Sequence, residues 1–310
     1  MKTVEKYSDG FFLATVLLLL FAVVPTNAQP FMKPEISGYY EFMPATNLAE
    51  PDAGTFWEDL EVQTSRIGFE ASNPFVYSRG KTIFNPQLSF EYLKVNYDNW
   101  DAVEGDGDPN ITDLYSGNLT MMLMHMINPG WSMMAIVSPG VASDFEGAVT
   151  FDDFNFQAGL VFMRNFSRFT QLGFGAVYST SFGHAIPLPA LSFNWNNGSN
   201  MRFNVILPVR IQFTYSLNRS ADLGMLMKVS GNDYRGASEI YEVNDPRLNV
   251  SDWMVGPTFD YRLSGALAVS LHAGYTFVRE FEFSNGEDEI ASYDLEGGPF
   301  LRVGLSLTGK

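Results

Sequence analysis

Residues 201–217 read MRFNVILPVRIQFTYSL. Every odd position, from Met201 through Phe213 to Leu217, is apolar. The even positions carry Arg202, Asn204, Arg210, Gln212 and Thr214, with Ile206 the one large aliphatic among them. A period of two marks a β-strand with two unlike faces. The same alternation returns at 253–263, 267–277 and 299–307. Further copies lie near 112–127, 152–164, 169–181 and 221–230, and weaker ones near 36–44, 60–72, 81–97, 131–141 and 188–196. No helix-period segment of useful length follows residue 30.

Two architectures produce this pattern. A soluble sandwich or barrel buries the apolar face and wets the other; a transmembrane barrel turns the apolar face to lipid around a polar lumen. The strands here are long, often 11 residues or more, which suits a tilted bilayer crossing, whereas soluble strands run to about 5–6 residues. Arg66, Arg202, Arg210, Arg262 and Arg302 sit in mid-strand on the polar face, and Trp131, Trp195, Trp253, Tyr178 and Tyr275 fall near strand ends as interfacial girdles do. The pattern predicts an all-β fold, an antiparallel up-and-down transmembrane barrel of 12–14 strands.

The strand count turns on the opening stretch. Seventeen residues reach roughly 55 Å at about 3.3 Å each, more than one crossing of about 9–11 residues needs. Pro208 lacks the N–H a central ladder requires. A reversal at Leu207-Pro208 gives 14 strands and puts every short turn on one side; folding 187–208 as a non-spanning hairpin gives 12. Short turns are predicted at 128–130, 165–168, 196–200, 218–221 and 264–265, and long loops at 45–61, 98–113, 142–153, 231–249 and 282–296. Outer-membrane barrels keep short turns in the periplasm and long loops outside.

Composition then narrows the function. The chain has 310 residues, no cysteine and a formal charge of -16. The acidic balance excludes a nucleic-acid face, and the lack of cysteine excludes disulfides and thiolate sites. Four of the loops, 45–61, 98–113, 142–153 and 282–296, hold 5, 6, 4 and 6 acidic residues with no Lys or Arg. The first 28 residues read as a signal peptide, with Lys2 and Lys6 before a 14-residue apolar run at 11–24 and Thr26-Asn27-Ala28 as the cut. The single barrel domain is then 29–310, starting at Gln29.

On these strands, turns and loops, the chain after Ala28 resembles a Gram-negative outer-membrane β-barrel of the small, uncharacterised kind. The resemblance implies outer-membrane placement in contact with lipid and lipopolysaccharide, insertion by the barrel assembly machinery, and a small solute as the possible cargo.

Candidate chemistry is sparse. Of three histidines, His125 falls on the apolar face, His272 faces the lumen and His184 lies in a loop; none has the spaced serine or carboxylate of a catalytic set. Glu104, Asp106 and Asp108 alternate as calcium ligands do, without the distal glutamate of a full calcium loop, so the expectation is an acidic loop holding divalent cations loosely and no cofactor. Arg202, Arg210, Arg262 and Arg302 must avoid hydrocarbon, where a guanidinium costs roughly 2–4 kcal/mol. With Asp260 they either line an anion-biased pore or pair internally with Asp260, Glu91 and Glu70 in a closed barrel. Inward parity also gathers Met122, Met124, Met126, Met134, Ile136, Val161 and Met163 near the 128–130 turn. This apolar lumen patch meets either varied apolar partners or residues 29–34 folded in as a plug. The functional expectation is a passive channel or transporter for small solutes; a closed structural or adhesive barrel and a barrel enzyme are the alternatives.

Overall fold

The computed structural model describes residues 33–49, 60–98, 112–180, 186–237, 245–286 and 288–309. Its strands are β1 (Glu35–Asn47), β2 (Glu61–Ser72), β3 (Phe75–Tyr77), β4 (Thr82–Asp98), β5 (Asp113–Asn128), β6 (Trp131–Ser143), β7 (Phe154–Asn165), β8 (Thr170–Ser179), β9 (Ile186–Asn196), β10 (Met201–Leu207), β11 (Arg210–Ser216), β12 (Ala221–Arg235), β13 (Pro246–Arg262), β14 (Leu267–Asn285), β15 (Asp288–Asp294) and β16 (Gly298–Thr308). Each long strand pairs antiparallel with its neighbours, and β1 pairs with β16 while β13 pairs with β14, so the sheet closes as a 14-strand barrel. The two remaining strands are β3, which extends the edge of β4, and β15, which takes over from β16 along the far half of β14.

Closure leaves no sheet edge around the barrel, which is what hydrocarbon demands of a backbone. The exterior is apolar, with Phe90, Leu160, Phe174, Met225, Tyr275, Leu301 and Leu305 all exposed. In 201–217 the odd positions Leu207, Val209, Phe213 and Leu217 point out, and Thr214 is buried inside. The chain does reverse at 208–209: Ile206 pairs with Arg210, and the Val209 N–H bonds the Ile206 carbonyl at 2.8 Å. All five predicted short turns fall at one end of the barrel, with the β2–β4 connection beside them.

The predicted long loops shrink. Of 231–249, residues 231–235 belong to β12 and 246–249 to β13, and most of 282–296 is the β14–β15 hairpin. In the acidic 142–153 segment, Arg235 lies 3.7 Å from Asp153 and 3.9 Å from Asp152, and Asp144 accepts from the Ala237 N–H at 2.9 Å.

The wall is uneven. β10 and β11 have seven residues each, about 23 Å along the strand. At a tilt of roughly 40° that rises about 18 Å, less than the apolar band of about 25 Å. Above the 208–209 turn, residues 186–190 of β9 pair only with β8. The Asn196 N–H bonds the Phe169 carbonyl on the β8 side, so odd residues of β9 aim their N–H groups at the unpaired edge. Pro187 and Pro189 are the odd residues there, and neither has an N–H to leave stranded. On the other flank, β12 runs past its pairing with β11 and crosses the interior. Arg235 bridges to Ser143 of β6, and Asn155 of β7 donates to Asn232 at 3.2 Å. The barrel is thereby pinched into a filled half and a lobe walled by β7–β11.

Candidate functional site

The filled half has two layers. Towards the long loops, Leu60, Val62, Leu93, Val95, Leu114, Tyr234, Leu248, Val250, Phe281 and Phe283 form an apolar core inside the barrel. Below it lies an ionic network. Arg66 touches Glu41 at 3.0 Å, Glu91 at 3.8 Å and Asp252; Arg279 reaches Asp252 at 3.3 Å; Lys228 and Arg302 reach Glu41 at 3.1 and 3.5 Å. Tyr39 donates to Glu91 at 2.6 Å, and Thr46 and Thr64 accept from Arg279 at 2.8 and 3.1 Å. Arg66 and Asp252 are almost wholly buried. Charges so placed are tolerable only because nearly every one is paired and hydrogen-bonded.

Local sequence explains how these groups meet. In β1, Tyr39 is in register with Gly68 of β2 and Gly304 of β16. A Cβ on Gly68 would fall 2.1 Å from the Tyr39 ring, so the bare wall lets that ring lie flat. The Arg302 guanidinium sits 3.4 Å from the ring centroid on its way to Glu41. Arg279 depends on a β-bulge: the β13–β14 register shifts between Trp253 and Met254, and Phe277 is skipped. Before the bulge His272 and Thr276 face inward; beyond it Arg279, Phe281 and Phe283 do.

The lobe is different. At the short-turn end it opens into a vestibule of about 1020 Å³ that reaches beyond the lobe to β3, β4 and β5. One wall is apolar, built from Val76, Ile83, Met124 and Met126, with Met134, Val161 and Met163 packed above. The facing wall is polar: Gln171, Asn194, Asn204, Gln212 and Thr214, with Arg202 and Asp260 at the rim. A second, polar hollow of about 150 Å³, lined by Glu70, Glu91, Asn118, Gln157, Ser230 and Asn232, lies where β12 crosses the interior.

The residues singled out from sequence distribute across these features. Met124, Met126, Met134 and Met163 form the apolar patch, with Met122 beside Ile136 in the next register pair. Arg202 and Arg262 both bond Asp222, at 3.1 and 2.9 Å, and Asp260 is opposite Asp222 in register. Arg210 donates to Asn204 at 3.4 Å, and Arg302 belongs to the central network. Sequence reasoning did not find Glu41, Asp222, Lys228, Asp252 and Arg279. Parity alone marks Asp222, Lys228 and Asp252 as inward, but Arg279 is inward only because of the bulge. His125 pairs with Thr82 at 2.8 Å, and His272 lies edge-on to Phe300 with its Nε2 unpartnered. His184, the trio Glu104, Asp106 and Asp108, and 29–32 of the suggested plug lie outside the described residues, among which no cluster of three His, Asp or Glu is placed to hold a metal.

The sequence model of a domain of unknown function, DUF6268, matches residues 27–307. Among solved structures, the chain is similar to an outer-membrane channel from Pseudomonas putida F1, at 10% identity and TM-score 0.46, covering 93% of this chain and 100% of that one. It is also similar to the P. putida toluene transporter TodX, at 8% identity and TM-score 0.46 over 91% of each chain, and to a Pseudomonas aeruginosa FadL homologue, at 10% and 0.44 over 89% of each. No curated protein matches it in sequence.

Proposed function

The chain belongs to the DUF6268 family, its fold is that of an outer-membrane β-barrel, and we propose that it is a passive channel or transporter for small solutes whose route runs through the β7–β11 lobe. The observation that carries this reading is the vestibule of about 1020 Å³, with carboxamides on one wall and Val76, Ile83, Met124 and Met126 on the other, inside a closed barrel with an apolar exterior. By the rule for such barrels the short-turn end is periplasmic, so the vestibule faces the periplasm. The ionic network and apolar core close the other half of the lumen. Passage is therefore narrow and lateral to the barrel axis, and selectivity lies with the side chains of the lobe rather than with a wide aqueous bore.

Conductance of the purified full-length protein in a planar bilayer tests the reading. Small, discrete steps are expected, and Gln212→Arg should shift ion selectivity towards anions by adding a cation to the lobe wall. Complete silence would instead support a closed structural or adhesive barrel, the reading favoured by the buried Arg66–Glu41–Asp252 core of the network.

A further inference from the structure

The polar wall of the vestibule is a single register row. Asn165 of β7 pairs with Gln171 of β8, Gln171 with Asn194 of β9, Asn194 with Asn204 of β10, and Asn204 with Gln212 of β11. Five carboxamides thus stand side by side across five strands, spanning about 19 Å at a strand spacing of about 4.8 Å. Four of them, Asn165, Gln171, Asn194 and Asn204, are joined head to tail. Asn204 donates to Asn194, Asn194 donates to Gln171 at 3.1 Å, and Gln171 donates to Asn165 at 2.7 Å. A carboxamide has two N–H donors and a carbonyl with two lone pairs. Each link uses one donor and one lone pair, so the row is oriented and still has capacity left. At its β11 end Gln212 borders the cavity, and none of the hydrogen bonds among the described residues engages its amide.

Across the cavity, Val76, Ile83, Met124 and Met126 offer no polar group. The thioethers of Met124 and Met126 are soft and adapt to varied apolar shapes. The rim adds little net charge: Arg202 and Arg262 are balanced by Asp222 and Asp260, and the Arg168 guanidinium is stacked 4.5 Å from the Phe169 ring centroid. Arg168 at the rim, and Arg210 where it donates to Asn204, have no carboxylate within 4 Å among the described residues, whereas the carboxamides themselves and the apolar wall carry no fixed charge. A sugar, polar on both faces, would leave hydroxyls unpaired against the methionine wall, at the cost of unmet hydrogen bonds. The volume lies at the upper end of ordinary small-molecule sites, about 300–1000 Å³.

We propose that the vestibule is a binding site for small uncharged organic molecules with one hydrogen-bonding edge on an apolar body: the carboxamide row takes the edge and the methionine wall takes the body. The proposal rests on the solute-barrel reading for its biological sense, but binding and passage are separate measurements.

Ligand-detected NMR on the full-length barrel in lipid nanodiscs, with empty nanodiscs as reference, tests it. The probes are 4-methylphenol, toluene, 4-methylbenzoate and glucose. 4-Methylphenol should bind tightest, with toluene weaker and the anion and the sugar weakest. Gln212→Leu, which removes an amide with no protein partner to lose, should weaken 4-methylphenol about threefold to tenfold and leave toluene unchanged. Met124→Gln should weaken both. Equal binding of 4-methylphenol to wild type and Gln212→Leu, or preference for glucose or 4-methylbenzoate, overturns the assignment, as does binding no greater than to empty nanodiscs. Planar-bilayer conductance of the same preparation separates the two readings. Conduction without 4-methylphenol binding sinks the binding site alone, and binding without conduction sinks the channel alone.

Discussion

At the scale of single residues, the arginines inside this barrel fall into two energetic kinds. Arg66 is nearly inaccessible and is held by Glu41 and Asp252. Its replacement by methionine leaves Glu41 to Lys228 and Arg302 and Asp252 to Arg279 alone, and breaking a buried pair in this way costs about 3–5 kcal/mol. Arg202 is half exposed and shares Asp222 with Arg262, so Arg202→Met should cost less than about 1 kcal/mol. Denaturant unfolding of the two variants in the same lipid should show a clear drop in midpoint for the first and almost none for the second; equal losses would mean that burial does not govern these pairs. The alternation placed Arg66, Arg202, Arg210, Arg262 and Arg302 on the polar face; the structure has Arg66 and Arg302 in the central network and leaves Arg202, Arg210 and Arg262 exposed. It could not say which acids they meet. A strand's parity fixes a side chain's face, whereas its partner depends on how far the opposite wall stands, and here β12 has crossed the lumen.

Among the elements, the β10–β11 hairpin carries most of what is unusual. Phe213 is exposed on the outer face and Gln212 borders the vestibule. Phe213→Arg should therefore cost about 2–4 kcal/mol if the position lies near mid-bilayer, while Gln212→Arg should be tolerated. A cysteine at 213 in this cysteine-free chain should react with a membrane-dissolved thiol reagent and one at 212 with a water-soluble reagent; the reverse preference would turn the wall inside out. The neighbouring edge of β9 gives a sharper test. Pro189→Val installs a good strand former, but its new N–H points to an edge on which no described strand pairs. The variant should be less stable than wild type by about 1–3 kcal/mol, measured by refolding into vesicles over a urea series. A gain in stability would mean that the edge is covered. Sequence alone identified Pro208 as the break, because a missing N–H can be read from one residue. The purpose of Pro187 and Pro189 could not be read there, since it depends on where β10 stops.

For the whole molecule, orientation and processing are the open consequences. An epitope inserted at Gly147, between β6 and β7, should be labelled on intact cells, and one at Gly130, between β5 and β6, only after permeabilisation. Labelling in the opposite sense would invert the barrel and put the vestibule outside. The mature chain should begin at Gln29 by N-terminal sequencing of the membrane fraction; a start at Met1 would remove the basis for export.

The period-two pattern by itself determined the fold class, the lipid-facing and lumen-facing positions of most strands, the short-turn end and the methionine patch. Each of these follows from local geometry, because successive side chains of a strand point to opposite faces whatever the rest of the chain does. Three matters were decided only by the tertiary structure. One skipped residue at Phe277 reverses the parity of β14 and delivers Arg279 to the interior. The inward passage of β12 fills half the barrel and leaves a lobe in place of a central bore. The carboxamides at 165, 171, 194, 204 and 212 have no common spacing in the chain; only the register of five strands sets them in one row. Register, bulges and crossings are agreements between strands distant in sequence, so no single strand contains them.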